Sequence, residues 1–241
     1  MQITGLTDPG IVRENNEDAI DWIAEQGLLI LADGMGGHNA GEVASQLALQ
    51  VCRSSMTAAL EESADDEALG EALRRAVAQA NLAIFETACS NPEQRGMGTT
   101  LVLACIHDQT LQFANVGDSR LYRFNAEGLQ QLSRDHSLVA EWVEKGFLNA
   151  EEARTSEQKN IITRAVGLAA EVEVDLFQQA LSSGDICLLC SDGLTDVVDD
   201  ASIAELLTQY ADDLQGLPLR LVERAKAAGG PDNISVILVQ V

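Results

Sequence analysis

The chain has 241 residues, of which 46% are hydrophobic and 22% charged, proportions typical of soluble globular proteins. Its 15 Lys and Arg residues stand against 38 Asp and Glu residues, giving a formal net charge of −23. That charge argues against a nucleic-acid-binding protein, which needs a basic face, and against docking on anionic lipid.

Two kinds of pattern alternate along the first half of the chain. Short apolar runs predict strands over residues 3–7, 19–24 and 28–32, and a glycine-rich loop, DGMGGHNAG, follows them. Apolar residues at helical spacing then predict two amphipathic helices over residues 42–60 and 67–88. Strand-like runs return at residues 99–106, 111–116 and 120–124, with a hairpin turn at Asp108 and Gln109.

The second half begins with a polar segment, residues 137–163, which we interpret as a mobile insertion carrying two short helices. After it, the pattern predicts a strand, two helices and a closing strand, over residues 186–190, 202–210, 217–228 and 234–241. Strands and helices do not alternate one by one, so the order predicts an α+β fold with antiparallel sheets and helices packed outside them.

The five cysteines match no disulfide framework. Cys187 and Cys190 form a C-x-x-C within an apolar strand-like run, where positions three apart face opposite sides. Packed thiols in a reducing compartment are therefore a better interpretation than a zinc or redox site. The N-terminus carries no signal-like pattern and no apolar run is long enough to span a bilayer, so we expect a cytoplasmic protein.

Acidic residues recur where predicted strands begin or end. Each lies near glycine or another small residue, which lets the backbone and a metal ion approach each other closely. These acids are Asp18, Asp33, Asp118, Asp192 and Asp232. A surface turn or helix cap explains any one of them. If all five converge, their mutual repulsion calls for bound cations.

Oxygen ligands of this kind select hard ions such as Mg²⁺, Mn²⁺ or Ca²⁺ rather than zinc. The sequence contains neither an EF-hand loop nor an H-E-x-x-H motif. Arg13, five residues before Asp18, is suited to clamp an oxyanion, although a solvated surface arginine is an equal alternative. Hard cations and a phosphate-binding arginine together indicate phosphoryl hydrolysis, in which two metals activate a water.

These residues belong to longer stretches that occur in collinear order. The stretches are RENNED (13–18), LADGMGGHNAGEVAS (31–45), MGTT (97–100), NVGDSRLYR (115–123), RDHS (134–137), LLCSDGLTD (188–196) and GGPDNISVI (229–237). In them the chain resembles the bacterial branch of the metal-dependent protein phosphatases (PPM, or type 2C), which are Ser/Thr phosphatases. The resemblance covers essentially the whole chain.

The resemblance implies a four-layer α-β-β-α sandwich, in which two antiparallel sheets are flanked by pairs of helices. It also implies that residues 1–241 form a single catalytic domain, within which residues 137–163 form a flap beside the active site. Substrate-facing flap residues would include Ser137, Glu141, Glu144 and Arg154, although a solvated surface insertion is equally compatible with that segment.

The resemblance further implies a cofactor of two Mn²⁺ or Mg²⁺ ions. Asp33 would bridge them, the Gly34 carbonyl would hold one, and Asp192 and Asp232 would complete the other. Asp18 and Glu17 would act through metal-bound waters. The remaining implied roles are a third, weaker metal site at Asp118 and Asp192, phosphate binding by Arg13, and orientation of the Asp232 loop by Asn233.

The implied mechanism is in-line attack on phosphorus by a hydroxide bridging the two metals, without a phosphoenzyme. Ser191 and Cys190 are then structural. Met35 occupies the position at which eukaryotic members often carry a histidine general acid, so the proton donor is either His38 or a metal-bound water, of which we favour the water. Pro231 is a milder departure that would stiffen its turn.

An active phosphatase is one of three hypotheses. A pseudophosphatase that binds phosphoproteins without turnover would be expected to lack a metal ligand, and all the matched positions hold Asp. A phosphatase dedicated to one regulatory partner would usually carry a sensor domain, for which the motifs leave no room. We expect a monomer that acts on phosphorylated proteins and opposes a cognate bacterial Ser/Thr kinase.

Overall fold

The computed structural model describes residues 1–36, 40–62 and 66–241. The strands of this part are β1 (Gln2–Asp8), β2 (Asp18–Ile23), β3 (Leu28–Met35), β4 (Gly98–Thr99), β5 (Leu101–His107), β6 (Thr110–Val116), β7 (Arg120–Asn125), β8 (Gly128–Gln131), β9 (Asp175–Ala180), β10 (Ile186–Cys190) and β11 (Ile234–Gln240). The α-helices are α1 (Ala40–Glu62), α2 (Asp66–Ser90), α3 (Leu138–Glu144), α4 (Ala150–Thr155), α5 (Asp192–Thr195), α6 (Asp200–Gln209) and α7 (Leu217–Ala227).

The strands form two antiparallel sheets. The first sheet has the order β1-β11-β10-β7-β8, and the second has the order β2-β3-β5-β6-β9, with β4 added beside β3. The chain's first and last strands pair along their whole length, from Gln2 opposite Gln240 to Asp8 opposite Ile234. This pairing brings the segment that precedes β11 next to the segment that follows β1.

Three apolar cores separate four layers. One core lies between α1, α2 and the second sheet, and includes Met56, Leu73 and Leu103. The next lies between the two sheets. The last lies between the first sheet and helices α5–α7, and includes Leu188 and Leu221. The predicted four-layer α-β-β-α sandwich is confirmed.

The C-x-x-C pair follows the alternation of a strand buried on both faces. Cys187 packs between the sheets, whereas Cys190 packs under the helices. Both are free thiols, as expected for packing residues. The hairpin turn between β5 and β6 also lies where the sequence predicts it, because Asp108 and Gln109 have φ values of 46° and 61°.

Residues 137–163 leave and return to the sandwich at one point. Ser137 pairs with Ile162 through an isolated bridge, and the Leu138 N–H donates to the Ile161 carbonyl. Within the segment, the Ser137 side chain caps α3, and Asn149 begins α4 with a capping box that includes Glu152. Both predicted short helices are present.

Strands β8 and β9 and the short helix α5 lie outside the sequence-based prediction. Their sequences, GLQQ and DLFQQA for the strands, are polar because each is an edge strand with an exposed side. Among the residues described, no helix is long and apolar enough to cross a membrane.

Candidate active site

The five acidic residues predicted to converge lie at one end of the sandwich. Asp18 opens β2 and stands opposite Asp33 of β3 in the strand register. Asp118 lies in the turn between β6 and β7, Asp192 opens α5 after β10, and Asp232 lies two residues before β11. The antiparallel pairing places all these strand ends together, so residues up to 214 positions apart in sequence share one cleft.

The proximity and burial of the carboxyl groups shift their pKa values. Burial raises the pKa of Asp33 well above its usual value, and the charges of the other four acids add to that rise. Burial likewise raises the pKa of Asp192, with contributions from Asp118, Asp232 and Asp18. For Asp18 the pKa rises to about 6, and for Asp118 to about 7, again chiefly through burial. So many repelling acids form an environment that favours cations.

Two carboxylate oxygens in the cleft lack an internal partner. Asp18 and Asp118 are only 5% and 8% exposed, and the Oδ1 atom of each is buried without a hydrogen bond from any described residue. Buried oxygens normally find a donor, so a bound ion or its water would satisfy them. Carboxylate oxygens of this kind fit hard divalent cations.

Within residues 1–36, 40–62 and 66–241, no three Asp, Glu, His or Cys side chains form a closed cage around one ion position. Mg²⁺ and similar ions do not require one, since they commonly keep several waters and use one or two carboxylates each. An ion held by one or two of these carboxylates and completed by waters would be compatible with this arrangement.

Glycines allow the backbone to approach closely at two of the predicted metal positions. A β-carbon at Gly34 would lie 2.1 Å from the Gly41 carbonyl oxygen, and one at Gly193 would lie 1.9 Å from the Asn233 carbonyl oxygen. Gly34 also donates its N–H to the Glu17 carbonyl at 3.1 Å. The cleft therefore depends on small residues beside Asp33 and Asp192.

Asn233 ties the Asp232 loop to the first acidic segment. Its side-chain oxygen accepts the Glu17 N–H at 2.8 Å, and its side-chain nitrogen donates to the carbonyls of Pro9 and Asn15 at 3.1 and 2.9 Å. Glu17 is half-buried, and burial raises its pKa. These contacts hold the Asp232 loop against the segment that contains Glu17.

Arg13 enters the cleft from the loop after β1. Its Nη2 lies 2.8 Å from Asp232 Oδ2, and its side chain is 52% exposed. The guanidinium is thus held beside the acids yet open to solvent. In this position it can offer its remaining N–H groups to an anion.

Hydroxyl groups hold two of the acids. The sequence predicts a structural role for Ser191 but not its partner, and it does not single out Thr100 or Ser119. Ser191 Oγ donates to Asp18 Oδ2 at 2.8 Å, which joins the end of β10 in one sheet to the start of β2 in the other. Thr100 Oγ1 accepts the Asp33 N–H at 3.0 Å and lies 2.7 Å from Ser119 Oγ. These residues lie in the motif stretches SDGLTD, MGTT and GDSR, which was the available signal.

The flap residues chosen from sequence make mainly internal contacts. Ser137 is 3% exposed and caps α3. Glu141 pairs with Lys145 at 3.1 Å, and Glu144 pairs with Arg134. Arg154 is exposed in the last turn of α4. A contact that the sequence did not suggest connects the segment to α5, since Lys159 Nζ lies 2.7 Å from Asp196 Oδ2.

His38, the alternative general acid, lies outside the described residues. Met35, at the end of β3, is the last strand residue before that gap and is partly exposed. A β-carbon on its neighbour across the ladder, Gly98, would lie 3.1 Å from the Met35 methyl group.

Known proteins with the same sequence pattern and fold are phosphatases. The family model described as protein phosphatase 2C matches residues 12–217. The serine/threonine phosphatase stp of Listeria innocua is 38% identical over 239 residues, which is 97% of this chain and 93% of that protein. The S. agalactiae serine/threonine phosphatase superposes with a TM-score of 0.90 at 38% identity, covering 100% of this chain and 99% of that one.

A second solved structure shows a relative with metal. The catalytic domain of the serine/threonine protein phosphatase PstP, in complex with two manganese ions, superposes with a TM-score of 0.86 at 37% identity, covering 99% of this chain and 97% of that one. The chain belongs to the protein phosphatase 2C family, and with it to the protein serine/threonine phosphatases.

Proposed function

We propose that this chain hydrolyses phosphoserine and phosphothreonine in proteins with the help of Mn²⁺ or Mg²⁺. The observation that carries the proposal is the convergence of five carboxyl groups, two of them with unpartnered buried oxygens, in a cleft that Arg13 enters. The names of the related phosphatases support the same reaction.

Each residue of the cleft has a role in this proposal. Asp33 would hold both ions of the core site and the Gly34 carbonyl one of them, while Asp192 and Asp232 would hold the second. Asp18 and Glu17 would hold ordered water, and Asp118 with Asp192 would hold a third, weaker ion. Arg13 would bind the phosphoryl oxygens, and its bond to Asp232 fixes its direction.

The ions, when bound, would supply an activated water and neutralise charge on the phosphoryl group. The chain itself offers no free nucleophile at the positions considered. Ser191 is fully buried, and its hydroxyl donates a hydrogen bond to Asp18. Burial raises the pKa of the Cys190 thiol to about 12. The structural roles of these two residues support direct attack by water without a phosphoenzyme.

The wider biological setting extends the same proposal. We propose that residues 1–241 act as one catalytic unit, that residues 137–163 form a flap which selects substrates, and that the enzyme opposes a Ser/Thr kinase in the cytoplasm as a monomer. The Lys159–Asp196 ion pair supports the flap assignment, because Asp196 lies close enough to raise the pKa of Asp192.

The test is hydrolysis of a phosphothreonine peptide with EDTA, Mg²⁺ or Mn²⁺, comparing wild type with Asp192→Asn. Asp212→Asn, at an exposed acid outside the cleft, is the matched control. We expect turnover that EDTA abolishes, that Asp212→Asn keeps, and that Asp192→Asn lowers by about 100-fold. A folded wild type that binds the peptide without hydrolysing it under any metal would favour the pseudophosphatase instead.

A further inference from the structure

The RDHS stretch supplies a buried histidine to which the reaction assigns no role. His136 is 4% exposed and lies where residues 137–163 leave the sandwich. Its backbone N–H donates to the Gly117 carbonyl at 2.9 Å, and its ring Nδ1 accepts the Gly117 N–H at 3.1 Å. One residue therefore satisfies both backbone polar groups of the glycine that precedes Asp118.

The other side of His136 faces the flap and its supporting strand. Its carbonyl accepts the Thr163 N–H at 2.8 Å, so His136 contacts the returning end of the flap as well as preceding its first residue. Its Nε2 lies 3.2 Å from Asp175 Oδ2 and 3.5 Å from Arg164 Nη1, and Arg164 also bonds Asp175 at 2.9 Å.

These partners define the form of the imidazole. Because Nδ1 accepts from a backbone N–H, the proton lies on Nε2, which donates to Asp175. Burial lowers the pKa of His136, partly offset by Asp175, and so favours this neutral form. The ring is a fixed connector between a carboxylate on β9 and the backbone of the Asp118 turn.

Gly117 needs an external partner to fix its conformation. Its φ is 103°, and a β-carbon there would lie 2.6 Å from the Thr100 side chain, so no other residue fits. A glycine has wide backbone freedom, and its orientation sets the direction of the following side chain. That side chain, Asp118, is buried with its Oδ1 unpartnered.

We propose that His136 is a positioning residue that couples the flap to the Asp118 carboxylate by holding Gly117 through Nδ1. Displacement of the flap ends would move the turn that presents Asp118, and occupation of the Asp118 site would in turn hold the flap. This inference rests on the proposed metal-dependent function, because it treats Asp118 as an ion-binding group.

Two substitutions separate the ring nitrogens. In His136→Asn, the side-chain oxygen can replace Nδ1 as acceptor for Gly117, whereas in His136→Gln the amide reaches toward the Nε2 position and loses that acceptor. His107→Gln, at a histidine whose side chain is 38% exposed, is the control. Mn²⁺ binding is measured calorimetrically without substrate, beside the Mn²⁺ dependence of turnover.

We expect His136→Gln to bind Mn²⁺ about 10-fold more weakly, with His136→Asn and His107→Gln close to wild type. Asp175→Ala removes the Nε2 partner and one contact of Arg164 but leaves the Nδ1 acceptor in place. It should therefore match His136→Asn, and it gives a second test if the glutamine variant does not fold. Equal Mn²⁺ affinity in the two His136 variants, or a 10-fold loss in Asp175→Ala, would overturn the inference alone. A folded wild type that takes up no Mn²⁺ would overturn the proposed function together with it.

Discussion

Arg13 illustrates how a single exposed side chain can be directed without being buried. Its bond to Asp232 holds the guanidinium beside the acids, and half of its surface still faces solvent. The planar guanidinium of arginine can donate to a carboxylate along one edge and to a phosphoryl group along another. A lysine at this position would keep the charge but lose that geometry.

At this residue we predict that Arg13→Ala lowers kcat/KM for a phosphothreonine peptide by about 10- to 100-fold, the effect of one or two charge-assisted hydrogen bonds. Arg13→Lys should recover only part of the loss. Arg74→Ala, at an arginine of α2 whose side chain is also 52% exposed, is the control. If Arg13→Ala and Arg74→Ala have the same kcat/KM in steady-state kinetics, Arg13 does not bind the phosphate.

At the scale of elements, the contact between α5 and β11 decides where Asp192 lies. Gly193 follows Asp192 in α5, and its α-carbon sits so close to the start of β11 that a β-carbon would overlap the Asn233 carbonyl. Backbone cannot give way there as a flexible side chain can. Helix α5 can lie this close to Asn233 only because Gly193 has no side chain.

We therefore predict that Gly193→Ala lowers the melting temperature by about 3–10 °C, as expected for overpacking worth about 1–3 kcal/mol. It should also weaken Mn²⁺ binding, since Asp192 moves with the helix. Gly70→Ala, within α2, should lower the melting temperature by less than Gly193→Ala does, because an added methyl would meet the end of the Gln112 side chain at 3.3 Å rather than backbone. The two melting temperatures are measured by thermal denaturation. Equal changes in the two variants would contradict the role given to the Gly193 contact.

At the scale of the whole molecule, the buried acid cluster makes the free energy of unfolding depend on pH. The folded protein binds protons at Asp18 and Asp118 up to about pH 6 and about pH 7, whereas their ordinary pKa is 3.8. The folded state therefore holds more protons than the unfolded state between these values. The stabilisation that these two groups contribute is fully present below their ordinary pKa. It is lost as the pH rises through their pKa values in the folded state.

For EDTA-treated protein we predict that the melting temperature falls by about 5–10 °C between pH 4.5 and pH 7.5. Saturating Mn²⁺ should remove most of that fall, because cations then replace the protons. The net charge of −23 adds general repulsion, so Asp118→Asn is compared with the surface variant Asp212→Asn. If the melting temperature of Asp118→Asn falls with pH as steeply as that of Asp212→Asn, the acid cluster is not the source of the pH dependence.

The long helices and most strands were predictable from sequence because their periodicity is local. The apolar stripes of α1 and α2 and the apolar runs of β3, β5 and β11 each report burial within a few residues. Strands β8 and β9 lack such a signal, since each pairs on one side only and carries glutamines. Their place is set by the neighbours β7 and β6, which no local pattern encodes.

The sequence by itself determined which acids could form a site, because glycine and aspartate at strand ends leave a recognisable trace, and it indicated the family through its collinear motifs. Only the tertiary structure decided what holds those acids. The Ser191–Asp18 bond joins residues 173 positions apart, and His136 contacts Gly117 at the base of residues 137–163. The packing of the two sheets determines these partners. The local sequence around a hydroxyl or an imidazole does not indicate which distant residue it will contact.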